Sequence, residues 1–397
     1  MSLNIAKLRK ETPGCLGVVH FNNAGASLMP KSVINAVNSH FEMESALGGY
    51  EAADNVTDKI AGFYDAAAKL IHGSPGEIAY QESATRAWDM VFYSLSFKPG
   101  DRILTSRAEY ASNYIAFLQV VKKTGAIIDI IPDDVYGQLS LDALEKMISP
   151  SVKLIAITHV PTQGGLINPA EAVGKIAKAH GIFYLLDATQ SVGQMPIDVE
   201  AMQCDALCAT GRKFLRGPRG TGFLYVRASK IAELEPPFLD LHAATWEKRN
   251  RYAIRPDARR FETWERNYAN MLGLKAAIEY ALTLGMPSIW ERIKALSKTL
   301  RMKLGAVEGV VLRDLGENKC GIVSFTVEGM DAARVMASLR VKNIHVSVSL
   351  AEYAPLDLGE RGLDSVVRAS LHCYNTEEEI ELFIKHLRDI AGSVSGG

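Results

Sequence analysis

The chain has 397 residues, 48% of them apolar and 22% charged, with a formal net charge of -1. That length exceeds what a single hydrophobic core usually supports, and the balanced charge gives no electrostatic reason to expect a nucleic-acid or anionic-membrane partner. Five scattered cysteines argue against a disulfide scaffold and fit a reducing compartment; with no apolar run long enough to span a bilayer and no apolar leader, a cytoplasmic protein is expected.

In chain order, the pattern from about residue 60 to 230 alternates helical and strand segments, which predicts an α/β fold with a largely parallel sheet. A helical pattern opens at Ser83 and runs to about Leu95. Residues 102–105, 126–131, 153–158 and 182–186 read as strands. Their unalternated apolar character fits a sheet covered on both faces. Residues 170–180 read as a helix closed by Gly181. Cys204 and Cys208 read as small packing residues, since no His or Cys pair nearby completes a metal site. After Pro236 and Pro237 comes an arginine-rich stretch, Arg249 to Arg266, read as an exposed or subunit-interface loop. A helix is predicted over 268–284, and another from Trp290 to about Leu304. Strands are predicted at 320–326, 344–348 and 365–368, and Thr376 with Glu379 forms a capping-box signature for a last helix.

The chemistry concentrates around Lys213, which lies in a glycine-rich run downstream of an apolar strand ending in Asp187, with Gln190 three residues on. A buried lysine has a lowered pKa and becomes a nucleophile near neutrality. A strand-end aspartate alone often just caps a turn. Lysine and aspartate together are what pyridoxal 5′-phosphate (PLP) requires: an amine for a Schiff base with the cofactor aldehyde, and a carboxylate that keeps the pyridine nitrogen protonated. Gln190 is then in reach of the phenolic oxygen. The helix start at Ser83, Ala84 and Thr85 offers free N–H groups to a phosphate. Strand ends in such sheets carry the ligand, which puts Thr158, His159 and Asp187 at the site.

These runs, together with Phe21-Asn22-Asn23-Ala24-Gly25 and the Val366-to-Glu379 segment around Arg368, resemble the class V aminotransferase family, which includes cysteine desulfurases, C–S lyases, kynureninase and isopenicillin-epimerase-like enzymes. The resemblance implies the PLP-dependent transferase fold type I: a large α/β domain with a mainly parallel sheet over 20–265, and a smaller α+β domain over 266–397 joined by residues 1–19. It assigns catalysis to Lys213 and Asp187, and cofactor contacts to Ala84, Thr85, Tyr110, Thr162, Gln190, Thr210 and Arg212 beside them. Substrate contacts fall to Asn23, Ala24 and Arg368, the last through a bidentate pair with a carboxylate. Tyr110 stands where desulfurases carry a stacking His, Arg212 where they carry His, and Thr162 where Asn is usual. Glu265 aligns with a Thr that reaches the neighbouring protomer's phosphate, so a homodimer with sites at the interface is expected, with Trp264 or Arg266 as substitute contacts. The loop at 346–363, where desulfurases carry a nucleophilic cysteine, holds none. The expected function is a PLP-dependent C–S β-lyase acting on a cysteine-derived amino acid, with transamination and epimerisation as alternatives and no metal.

Overall fold

The computed structural model describes residues 3–395. Its centre is a seven-stranded sheet in the spatial order Ile78–Gln81, Gly222–Val226, Ala206–Thr210, Phe183–Asp187, Val152–Thr158, Arg102–Ser106, Ile127–Ile131. Five neighbouring strands are parallel, and Gly222–Val226 alone runs opposite to both its neighbours. The middle strands are buried along almost their whole length, as a sheet with helices on both faces demands. The strands read from the sequence at 102–105, 126–131, 153–158 and 182–186 are all present within a residue or so.

The sequence order places Arg102–Ser106 between the strand that follows it and Val152–Thr158, so successive connections leave it in opposite directions. Such a switch point opens a crevice beyond the strands' carboxyl ends. Helices set its walls. Ser83 caps Ala84–Phe92 by accepting from the Arg86 N–H at 3.1 Å. Ala111–Thr124 starts just after Ser106 and closes at Gly125 with φ +77°.

A second, antiparallel sheet has the order Val310–Leu312, Ile322–Val327, Ser365–Ser370, Ser347–Leu350. Helices Met286–Leu304, Ala332–Arg340 and Glu377–Ser395 cover one core with it, through Leu300, Val335 and Phe383 among others. Thr376 and Glu379 form the expected reciprocal cap, at 3.1 and 3.3 Å. The expected strand over 344–348 is instead split: Ile344–His345 pairs with Val19–His20, and Ser347–Leu350 joins the smaller sheet. Helix Tyr268–Leu284 packs against Lys31–Leu47 and Thr57–Ile71. The expected division after residue 265 falls at the start of this helix, whose Met271, Leu274 and Ile278 share the larger sheet's core.

The arginine-rich stretch folds into a hairpin, Ala244–Lys248 with Arg251–Ile254. Arg260 beyond it is buried and donates to the carbonyls of Arg255, Ile231 and Leu234. Cys204 and Cys208 are buried in the larger sheet's packing. Among the described residues no helix is long and apolar enough to cross a membrane.

Candidate active site

A cavity opens where strand carboxyl ends and the Ala84–Phe92 helix start converge. All nine residues singled out for cofactor contact (Ala84, Thr85, Tyr110, Thr162, Asp187, Gln190, Thr210, Arg212, Lys213) line it. They come from five separate chain segments, brought together by the strand order and by the helix starts beside it.

Lys213 follows the strand Ala206–Thr210 and is buried. Burial lowers its pKa from 10.5 to about 7, helped by the Arg212 and Arg368 guanidinium charges and opposed by Asp187. A substantial fraction of the amine is therefore neutral, hence nucleophilic, at neutral pH. Close packing behind it fixes its backbone. Gly193, at φ +92°, sits so near that a Cβ there would lie 2.4 Å from the Phe214 carbonyl carbon and 2.5 Å from the Leu215 nitrogen.

Asp187 ends its strand with both oxygens held: Oδ1 accepts from the Thr189 N–H at 2.9 Å, and Oδ2 from Asn113 Nδ2 at 3.0 Å. The same Asn113 nitrogen donates to Glu109 Oε1 at 2.9 Å. Glu109 is buried and also accepts from Thr158 Oγ1 at 2.5 Å and from Thr105 Oγ1 at 3.0 Å. Sequence reasoning assigns Glu109 and Asn113 no role. Glu109 precedes the Tyr110 cap and Asn113 lies in the helix's first turn, so no helical periodicity marks the pair.

Arg368 lies on a central strand of the smaller sheet between Ser324 and Ser347, whose small side chains leave it room. It is buried, donates to the Thr162 carbonyl at 2.8 Å, to Thr162 Oγ1 at 2.6 Å and to Ser347 Oγ at 3.2 Å, and leaves Nε unpartnered. All three partners are neutral. Burial and the nearby Arg212 charge lower its pKa to about 10. A buried guanidinium without a counter-charge is a receptor for an anion.

Gln190 donates to Thr162 Oγ1 at 2.9 Å and to the Ala24 carbonyl at 3.1 Å, while its own Oε1 is unpartnered. Ala24 thus meets the site through its backbone. The Asn23 side chain is fully buried and occupied by the His20 and Ser370 carbonyls and the Tyr374 hydroxyl, so it shapes this loop from behind. Arg212 donates to the Gly25 carbonyl. Tyr110 keeps 36% of its surface exposed at the cavity edge, free to meet a flat ring. His159 is buried, its ring Nδ1 unpartnered and its pKa lowered to about 4 by burial. Glu265 and Trp264 are exposed, whereas Arg266 is held by Glu262 and His242.

The cavity fits PLP on these observations. It offers a neutral amine, a fixed carboxylate, an exposed aromatic face, an orphaned Gln190 oxygen and a helix start whose first N–H groups lack intrahelical acceptors. The chain is 28% identical to a probable cysteine desulfurase of Methanothermobacter thermautotrophicus, over 97% of this chain and 98% of that one. Its structure resembles that of the cysteine desulfurase of Thermococcus onnurineus NA1, with TM-score 0.91, 29% identity, and 100% and 99% of the two chains covered. A cystine C–S lyase solved with its reaction product cysteine persulfide shares the fold at TM-score 0.86 and 22% identity, covering 95% and 99%. The family model for class V aminotransferases matches residues 19–383, and the chain belongs to that family of PLP-dependent enzymes.

Proposed function

We propose that the protein is a PLP-dependent β-lyase that breaks the C–S bond of a cysteine-derived amino acid. The observation that carries this reading is a cavity holding Lys213 and Asp187 beside the uncompensated Arg368, with no cysteine among its lining residues. All five cysteines are buried, and burial raises the thiols of Cys204 to about 12 and of Cys320 and Cys373 to about 11. A thiol of that kind is a poor acceptor for sulfur.

Bound PLP supplies the electron sink that stabilises negative charge at the substrate Cα. The chain's residues do the rest. Lys213 would take the Cα proton on its amine and pass it to the departing sulfur. Asp187 holds a proton on the ring nitrogen. Arg368 grips the substrate carboxylate, and Ala84 and Thr85 offer N–H groups to the phosphate with Arg212 opposite. Cleavage of Cα–H and Cβ–S releases the sulfur fragment with the bonding pair and a proton; water then frees ammonia and leaves pyruvate.

The test is pyruvate release from PLP-loaded protein over cysteine, cystine and S-substituted cysteine sulfoxides, with Lys213→Ala as control. Lysine-dependent pyruvate supports the lyase. Alanine in its place favours sulfur transfer, as the relatives' name suggests. An amino-group transfer to an added keto acid, or loss of chirality, favours the aminotransferase or epimerase reading.

A homodimer accompanies this proposal. Exposed Trp246, Tyr252 and Leu241 lie on and beside the hairpin, and Trp264 and Tyr50 approach each other at 6.2 Å between ring centroids. Sedimentation as a monomer at micromolar concentration would remove it.

A further inference from the structure

Asn113 is an unusual bridge. One carboxamide nitrogen directs both hydrogens to two buried carboxylates, Asp187 at 3.0 Å and Glu109 at 2.9 Å. Asp187 and Asn113 line the cavity; Glu109 does not. Two obligatory donors, the Tyr110 N–H at 2.8 Å and Asn113 Nδ2, converge on Glu109 Oε1, and the Thr158 and Thr105 hydroxyls complete its shell. So full a set of donors suits an acceptor carrying charge.

We propose that Glu109 is a positioning residue for the cofactor's ring nitrogen: through Asn113 it holds the Asp187 carboxylate in one orientation and adds a second buried negative charge behind it. The inference rests on the reading of the cavity as a PLP site. Two carboxylates joined through one amide repel each other. A ring nitrogen that carries a proton offsets part of that repulsion. Burial pushes Glu109 up to about 7, with the Asp187 charge adding to it against three hydrogen bonds that lower it. The charge facing Asp187 is Lys213 across the cavity, while burial and the Asp187 charge keep the neighbouring Cys208 thiol protonated. A protonated ring arriving beside Asp187 draws Glu109 toward its ionised form.

The test compares PLP with 1-deaza-PLP, in which CH replaces the ring nitrogen, using full-length wild-type and Glu109→Gln proteins. Dissociation constants are read from the absorbance of the bound cofactor. The variant should bind PLP about tenfold more weakly while its affinity for 1-deaza-PLP changes less than twofold. A purely structural residue would weaken both compounds equally. Equal loss, or no loss, overturns the proposal. If Glu109→Gln does not fold by circular dichroism, Asn113→Leu carries the same comparison: selective loss of PLP affinity supports the proposal, and equal or no loss overturns it. Wild-type protein that binds neither compound would remove the cofactor reading, and this inference with it; wild-type binding without selectivity in the variant removes the inference alone.

Discussion

Replacing Lys213 by Met should stabilise the cofactor-free protein, in a way that depends on pH. The side chains are similar in length, but Met has no amine to desolvate. In the folded chain Lys213 is lowered from 10.5 to about 7, so between those values the unfolded state holds a proton that the native state has lost. Stability of the wild type therefore rises with pH across that window. The cost of the amine is fully present below about pH 7 and vanishes above 10.5. It amounts to about 4 kcal/mol at pH 7. Urea unfolding of cofactor-free wild type and Lys213→Met, from pH 7 to 10.5, measures it directly. The gap should be about 4 kcal/mol at the lower end and close to a constant offset at the upper. A gap that does not change with pH would refute the claim that this amine is held neutral by its surroundings.

Three further outcomes are expected. Gly193→Ala should lose about 1–3 kcal/mol and weaken PLP binding, because its Cβ would strike the Phe214 backbone next to Lys213; unchanged cofactor affinity in a titration would count against that packing argument. Arg368→Gln should raise the apparent dissociation constant of amino-acid ligands about 10- to 100-fold without altering PLP affinity, read from the ligand-induced change in cofactor absorbance. Arg301→Met should cost about 3–5 kcal/mol in urea unfolding, since Arg301 pairs at 2.6 Å with a buried Asp314 that would be left uncompensated.

Much of the fold could be read from local pattern. Apolar runs such as residues 153–158 have few structural options other than a covered strand, and Gly181 at φ +65° ends its helix as expected. Two strands flanking the lysine run, Ala206–Thr210 and Gly222–Val226, are equally apolar, yet local pattern does not reveal them. Nothing local distinguishes a short buried strand there from a helix segment, and the reversed direction of the second is set by distant pairing with Ile78–Gln81. The break at Val346 is of the same kind, because the two halves find different partners far along the chain. In the site, residues with a chemical signature were legible. Glu109 was not: its meaning comes from a hydrogen bond to Asn113 and thence to Asp187 on another strand, a contact that spacing cannot encode.

The Thr162 hydroxyl accepts from Gln190 at 2.9 Å and from Arg368 at 2.6 Å. An sp³ oxygen has two lone pairs, so these donors saturate it. One atom therefore stands between the proposed cofactor and substrate subsites and ties Gln190 to Arg368. A substitution that removes the Thr162 hydroxyl therefore frees the Gln190 amide and one Arg368 donor together, so both subsites feel one change.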